Sequence, residues 1–299
     1  MVTDRDIYFF DLQGYLIVRG ALSVDEVDAL NASVDAVPRL KAGQWFGGLH
    51  GHHYRAKDGI NYQQIYELDP FDQLIDHPAY YAKVRKFVGG EGGFDDHHGP
   101  LFIDEAFINF RGPGETIGLH SGADECNKRC SYRVRDGKFM SCQVNMLLAL
   151  TDIAQGDGGT MVIPCSHKQH FGHPDMETYR IGELGKSGDG CDGAVELQMQ
   201  AGDVLLFTDA ICHGAARRSN AGERRTVVYR YGPSWGAPHL PYRPTRELMM
   251  RLTERQQKIV WPHTPMRREP NLRKSFAEID PSEAPLPGMV NDTPWVEPE

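Results

Sequence analysis

The stretch GDVLLFTDAICHGA (202–215), followed at short range by RRTVVYRYG (224–232), decides how the chain folds. Both carry short runs of β-branched, aromatic and aliphatic residues, so together they read as a strand, a loop and a strand. Upstream the same grammar recurs in LFIDEAFINF (101–110), a turn at RGPGE, TIGLH (116–120), SCQVNMLLAL (141–150) and, after the turn-rich AQGDGG, TMVIP (160–164). A parallel α/β sheet needs a helix between successive strands, and these gaps hold glycine and proline turns instead. An antiparallel sandwich or barrel follows, with any site at its mouth.

Working outward, YLIVR (15–19) is a further β-rich run. Ser23 with Glu26 three residues on is a capping box, and Val27, Leu30, Val34 and Val37 recur at helical spacing behind it. AGQWFGGLHGHHYRAKDG (42–59) reads as a glycine-rich loop whose His50, His52 and His53 follow no period. Such a loop fits a site's border better than a metal centre, and Trp45, Phe46, Tyr54 and Tyr62 read as a pocket wall or lid. Segments 61–68 and 79–88 read as mixed or helical, stopping at Gly89 and Gly90, with His97 and His98 in a turn. A helix is expected from 245 to about 260, with Leu248, Leu252 and Ile259 on one side. The proline-rich remainder reads as an irregular surface wrap.

With 299 residues, one all-β domain over 1–235 is expected, with 236–299 as a helix and irregular extension packed upon it. Hydrophobic content of 40% beside 24% charged residues supplies a core and argues against disorder. The formal net charge of -9 argues against nucleic acid as a partner. No run approaches the roughly 18 apolar residues of a membrane span, and the acidic start lacks the order of a signal peptide. A cytoplasmic protein without a membrane partner is expected. Six cysteines spread thinly through such a chain imply reduced thiols, and no second close pair joins Cys126 and Cys130 to complete a zinc clip.

The chemistry is carried by TIGLHSGADE (116–125), which places His120 opposite His213, 93 residues downstream. Two histidines on separate strands, with Arg224 and Arg225 shortly after the second, point to a non-haem iron site with an organic-acid co-substrate. Iron(II) there needs ligands on one face, and neutral imidazole suits it. Both histidines precede small residues, Ser121 and Gly122 or Gly214 and Ala215, that leave room for a metal. Gln143 and Asn145 share a strand face and are candidates to touch co-substrate or substrate, as is Thr160.

FFDLQGYLIVRGALSVDEVDAL (9–30), LLALTDIAQGDGGTMVIPCSHK (147–168) and the two opening stretches together resemble the phytanoyl-CoA dioxygenase family of iron(II) and 2-oxoglutarate dependent oxygenases. The resemblance implies a double-stranded β-helix, or jelly roll, with flanking helices. It also implies that 2-oxoglutarate and O2 give succinate, carbon dioxide and an oxidised small-molecule substrate. Arg224, eleven residues past His213, stands where this family holds the far carboxylate of 2-oxoglutarate. A guanidinium fork suits that role, and Arg225 takes it if the strand register is displaced by one.

One ligand of the family pattern is missing. The pattern reads His-x-Asp or His-x-Glu, whereas this chain reads His120, Ser121, Gly122, and glycine has no side chain to coordinate. Three arrangements remain open. Asp124 or Glu125 reaches back to the metal; chloride takes the position, as in the related halogenases whose His-x-Gly this is similar to; or water fills it, with oxidation retained or with only binding left. Outside the oxygenase class, a zinc hydrolase would need a third protein ligand and a general base. A nucleophile at Cys165 or Ser166 would have only His167 nearby.

Overall fold

Alternation along the longest strands sorts side chains to two faces, and both faces turn out to be buried. The computed structural model describes residues 1–53, 60–89, 99–122, 128–180, 186–234, 236 and 242–261. Helix α1 (Asp4–Gln13), strand β1 (Tyr15–Val18) and helix α2 (Val24–Asp35) come first. Strands β2 (Trp45–Phe46), β3 (Leu49–His53) and β4 (Ile60–Gln63) precede helix α3 (Tyr81–Val88). The central strands follow: β5 (Leu101–Arg111), β6 (Ile117–His120), β7 (Tyr132–Arg135), β8 (Lys138–Ser141) and β9 (Val144–Ala149). Then come β10 (Thr160–Val162), a short helix α4 (Met176–Tyr179), β11 (Val195–Leu197), β12 (Val204–Thr208), β13 (His213–Ala215) and β14 (Arg224–Pro233). Helices α5 (Arg246–Arg251) and α6 (Glu254–Val260) close the described chain.

Eight strands form the larger sheet in the order β1-β12-β9-β14-β5-β4-β3-β2, and four form the smaller one, β11-β10-β13-β6. The pairings are antiparallel throughout, as the turn-punctuated sequence requires. One face of the larger sheet, with Ile108, Val144, Met146, Leu206, Val227 and Tyr229, packs on α2, α3, α5 and α6 through Leu30, Val34, Val84, Phe87, Leu248 and Ile259. The opposite face, with Phe107, Leu147, Leu205, Phe207 and Val228, packs on Val162 and Leu197 of the smaller sheet. The protein is therefore a jelly roll with helices on the outer side of one sheet.

Several elements differ from the sequence reading. Helix α1 was not expected, although Thr3 and Asp6 form a reciprocal capping box, and its Phe10 stacks on Phe87 of α3 with ring centroids 3.9 Å apart. The glycine-rich stretch from 42 is a hairpin rather than a loop: Trp45 pairs with His50 and Phe46 with Leu49, which extends the larger sheet. The helix expected from 245 to 260 breaks in two, because the Thr253 hydroxyl accepts from Gln256 N–H and Gln256 caps back, which starts a new helix. Tyr54, Gly90, His97, His98, Asp124, Glu125, Cys126 and the stretch from 262 onward lie outside the described residues. Five cysteines, Cys130, Cys142, Cys165, Cys191 and Cys212, are free thiols. No helix among the described residues is long and apolar enough to cross a membrane.

Candidate metal and co-substrate site

Strands β6 and β13 run side by side with His120 directly opposite His213. The register slips between them, so three steps on β6 oppose two on β13, a bulge that crowds the backbones together. Gly214 makes this approach feasible: a Cβ there would sit 2.6 Å from the Ile117 carbonyl oxygen. Its small size serves the opposing strand, a different reason from the room for a metal that the sequence had implied. The two imidazole centroids end 4.2 Å apart.

The Nδ1 atoms of the pair are fixed from behind. His120 Nδ1 lies 3.1 Å from the Gly118 carbonyl, and His213 Nδ1 lies 2.8 Å from that of Ile211. A carbonyl only accepts, so each Nδ1 carries the proton and each Nε2 carries the lone pair a metal requires. Burial above all pushes His120 down to about 3, so it stays neutral at working pH. The donor set fits a divalent iron held by two Nε2 atoms. Among the described residues no third His, Cys, Asp or Glu joins the two.

Immediately after His120, Ser121 has φ +62° and Gly122 φ +118°. A side chain at 122 would be strained on this backbone, so the glycine answers a conformational demand as well as removing a ligand. Asp124 and Glu125, the carboxylates considered for the position, lie outside the described residues.

Between the sheets, a cavity opens beside the histidines, and its floor follows strand alternation. Arg224, Thr226, Val228 and Arg230 of β14 face it, together with Arg111, Asn109 and Phe107 of β5 and Asn145 and Leu147 of β9. Thr160 also lines it. Gln143 does not; it precedes β9 and donates to Asn145 Oδ1 at 3.1 Å, while Asn145 Nδ2 donates to Asp209 at 2.9 Å. Burial by itself would raise the Asp209 carboxyl, but nearby positive charge, that of Arg230 included, and the Asn145 amide outweigh it and lower it.

The arginines at 224 and 225 diverge as adjacent strand residues must. Arg224 is buried in the cavity wall, donates from Nη1 to the Gly158 carbonyl, and keeps Nε without a hydrogen-bond partner among the described residues. Burial first, then the like charges of Arg111 and Arg218, hold its guanidinium well below its usual range. A bound carboxylate would relieve both burdens, which makes this the cavity's anion-ready end. Arg225 is not brought to the cavity. It points to the helix side, paired with Asp35 at 2.7 Å and Glu223 at 3.0 Å.

Sequence reading missed Arg111, Asn109, Thr226 and Arg230. The signal was available in steps of two backward from Arg111 and forward from Arg224, because β5 and β14 pair with Arg111 opposite Arg224.

Fold and site geometry together fit the class of jelly-roll oxygenases, with His120, His213 and Arg224 as its candidate site residues. The chain matches the phytanoyl-CoA dioxygenase family over residues 10–226 and belongs to it. It is a non-haem iron and 2-oxoglutarate dependent dioxygenase. It is 25% identical over 268 residues to dioxygenase cdmD of Talaromyces verruculosus, covering 83% of this chain and 80% of that one. It is 23% identical to dioxygenase FUM3 of Gibberella moniliformis, with 79% and 73% covered. Among solved structures it resembles HygX of Streptomyces hygroscopicus with nickel and 2-oxoglutarate bound, at a TM-score of 0.63 and 23% identity over 79% of this chain and 89% of that one. HygX has also been solved with hygromycin B bound.

Proposed function

We propose that this dioxygenase oxidises an unactivated C–H bond of a small molecule, with His120 and His213 holding iron(II) through Nε2 and Arg224 holding the far carboxylate of 2-oxoglutarate. The observation that carries this reading is the pair of back-bonded imidazoles at one side of a cavity whose wall contains a buried guanidinium with its Nε lacking a hydrogen-bond partner among the described residues. Iron(II) bound there with 2-oxoglutarate and O2 supplies the oxidising power, and 2-oxoglutarate leaves as succinate and carbon dioxide. Gly118 and Ile211 lock the ring orientations by accepting from Nδ1. Arg224 orients the co-substrate, with Thr160, Asn109 and Thr226 beside it as neutral hydrogen-bonding groups. Phe107, Leu147, Phe207 and Val228 exclude water between the two ends. HygX, which binds hygromycin B, supports a small-molecule substrate on this fold. The test is succinate formation by iron-reconstituted protein in the presence of 2-oxoglutarate and oxygen. Its absence, even uncoupled from any substrate, sinks the reading.

A second outcome at the same site is chlorination in place of hydroxylation, favoured by one observation: Gly122 supplies no ligand and its φ of +118° suits glycine. Chloride or water then takes the place of the family's carboxylate. Substrate-coupled turnover at high chloride without any chlorinated product excludes this outcome. The Asp124 or Glu125 alternative is tested separately: replacing that carboxylate by its amide weakens iron binding only if it is the ligand.

A further inference from the structure

We propose that the Glu105–Arg230 pair, flanked by Gln63 and Asn145, orients the substrate and selects an uncharged, hydroxyl-rich molecule such as a sugar or cyclitol unit. The inference rests on the reading of the two histidines and Arg224 given above and names the substrate class for that site.

Strand register puts these groups in one row. Glu105 of β5 opposes Arg230 of β14, and Arg230 opposes Asn145 of β9, on the face that holds Arg224 at its far end. Arg230 and Asn145 line the same cavity as the histidines. Arg230 Nη1 donates to Glu105 Oε2 at 2.6 Å, and Gln63 Nε2 donates to Glu105 Oε1 at 3.3 Å. The guanidinium also lies 5.6 Å over the Phe107 ring, which fixes its plane.

The two ends of the cavity have opposite characters. At the Arg224 end two guanidiniums, Arg111 and Arg224, stand together and call for an acid. At the Arg230 end the cation is balanced by Glu105, with side-chain exposures of 14% and 9%. A carboxylate or phosphate brought there would meet the Glu105 charge in a poorly solvated site. Gln63 Oε1 is buried and has no hydrogen-bond partner among the described residues. An acceptor in that position needs a donor, which a hydroxyl has and an alkyl chain or carboxylate lacks.

The rim adds an apolar surface of the kind sugar faces use. His50 Nδ1 lies 2.5 Å from Tyr242 Oη, and Trp45, 56% exposed, stacks on His50 with centroids 4.6 Å apart. Strand register carries this group to the cavity face, because His50 opposes Gln63 and Gln63 opposes Phe107 of the cavity floor. Aromatic faces beside paired carboxylate, guanidinium and amide groups match a ring with polar edges and C–H faces.

The experiment uses the full chain loaded with nickel and 2-oxoglutarate, which blocks turnover. Binding of nickel and 2-oxoglutarate is measured first; its failure strikes the two-histidine reading rather than this one. Saturation-transfer NMR then compares two probe sets: neutral methyl glycosides, disaccharides and inositols, against uronic acids, sugar phosphates and fatty acyl thioesters. The expected result is transfer to members of the neutral set, weakened about tenfold or more when Glu105→Gln and Arg230→Gln are combined so that no charge is left buried alone. Circular dichroism and thermal melting verify that the double variant folds, and the single variant Glu105→Gln provides a second reading if it does not. Stronger transfer to the acidic or acyl set, no transfer to any neutral member, or transfer indifferent to both variants overturns the proposal.

Discussion

Arg224→Gln offers the most direct probe of the acid-binding end. The guanidinium is buried, makes one bond to the Gly158 carbonyl, and sits beside Arg111 and Arg218. A bidentate pair with a carboxylate comprises two charge-assisted hydrogen bonds worth about 1.5–3 kcal/mol each, so losing it removes about 3–6 kcal/mol of binding. At about 1.4 kcal/mol per tenfold, the dissociation constant of 2-oxoglutarate should rise by about 10²–10⁴. The folded chain itself loses little, since the lost carbonyl bond is offset by removing a like charge from a buried cluster. Isothermal titration of 2-oxoglutarate into nickel-loaded protein measures the first quantity. Thermal melting measures the second: co-substrate at 100 times its dissociation constant stabilises the native chain by about 2.7 kcal/mol, a shift of about 4–5 °C that the variant should lack. Arg225→Gln is the matched control. Its ion pairs with Asp35 and Glu223 lie on the helix side, so it should cost about 1 kcal/mol of stability and leave co-substrate affinity alone. Affinity unchanged by Arg224→Gln, or lost equally in Arg225→Gln, refutes the assignment.

His213→Ala should abolish stoichiometric metal binding, read by metal content after dialysis, because one Nε2 donor is too few to retain a divalent ion. Gly14→Ala should cost more than about 1–2 kcal/mol in chemical denaturation, since Gly14 has φ +84° and a Cβ would sit 2.6 Å from His167 Nδ1. Burial pushes His167 to about 4, against 6.5 for a free imidazole. The unfolded chain therefore binds a proton more readily between those values, so this contribution is fully present above about pH 6.5 and is lost as pH falls towards 4. The difference is at most about 3 kcal/mol, and the slope of unfolding free energy against pH should flatten in His167→Gln. Thr253→Ala should cost about 1 kcal/mol by removing the cap that starts α6, with the loss confined to that helix in hydrogen exchange.

Much of the fold was legible because the turns and apolar runs of β9, β12 and β14 are local signals, and so were the two histidines, which fall beside recognisable strands. The register of β5 was not. Arg230 opposes Glu105 while Tyr231 opposes Ile103, so Asp104 is an extra residue in a bulge that reverses the alternation midway through LFIDEAFINF. Hairpin β2–β3 was hidden by its glycines. Gly51 is needed because a Cβ would sit 2.4 Å from the Lys41 carbonyl oxygen, a close approach that composition alone reads as a loop.

The sequence by itself determined an antiparallel β protein, His120 and His213 as the candidate ligand pair, and the absence of a carboxylate at 122. Those properties depend on residue type and local period. Only the tertiary structure decided that Arg224 rather than Arg225 enters the cavity, that both imidazoles present Nε2, and that Glu105, Arg230 and Asn145 form one row. The first and third depend on strand register, which is fixed by non-local pairing of β14 with β5 and β9, and the second on the side-chain orientation that brings each Nδ1 to a carbonyl two residues back.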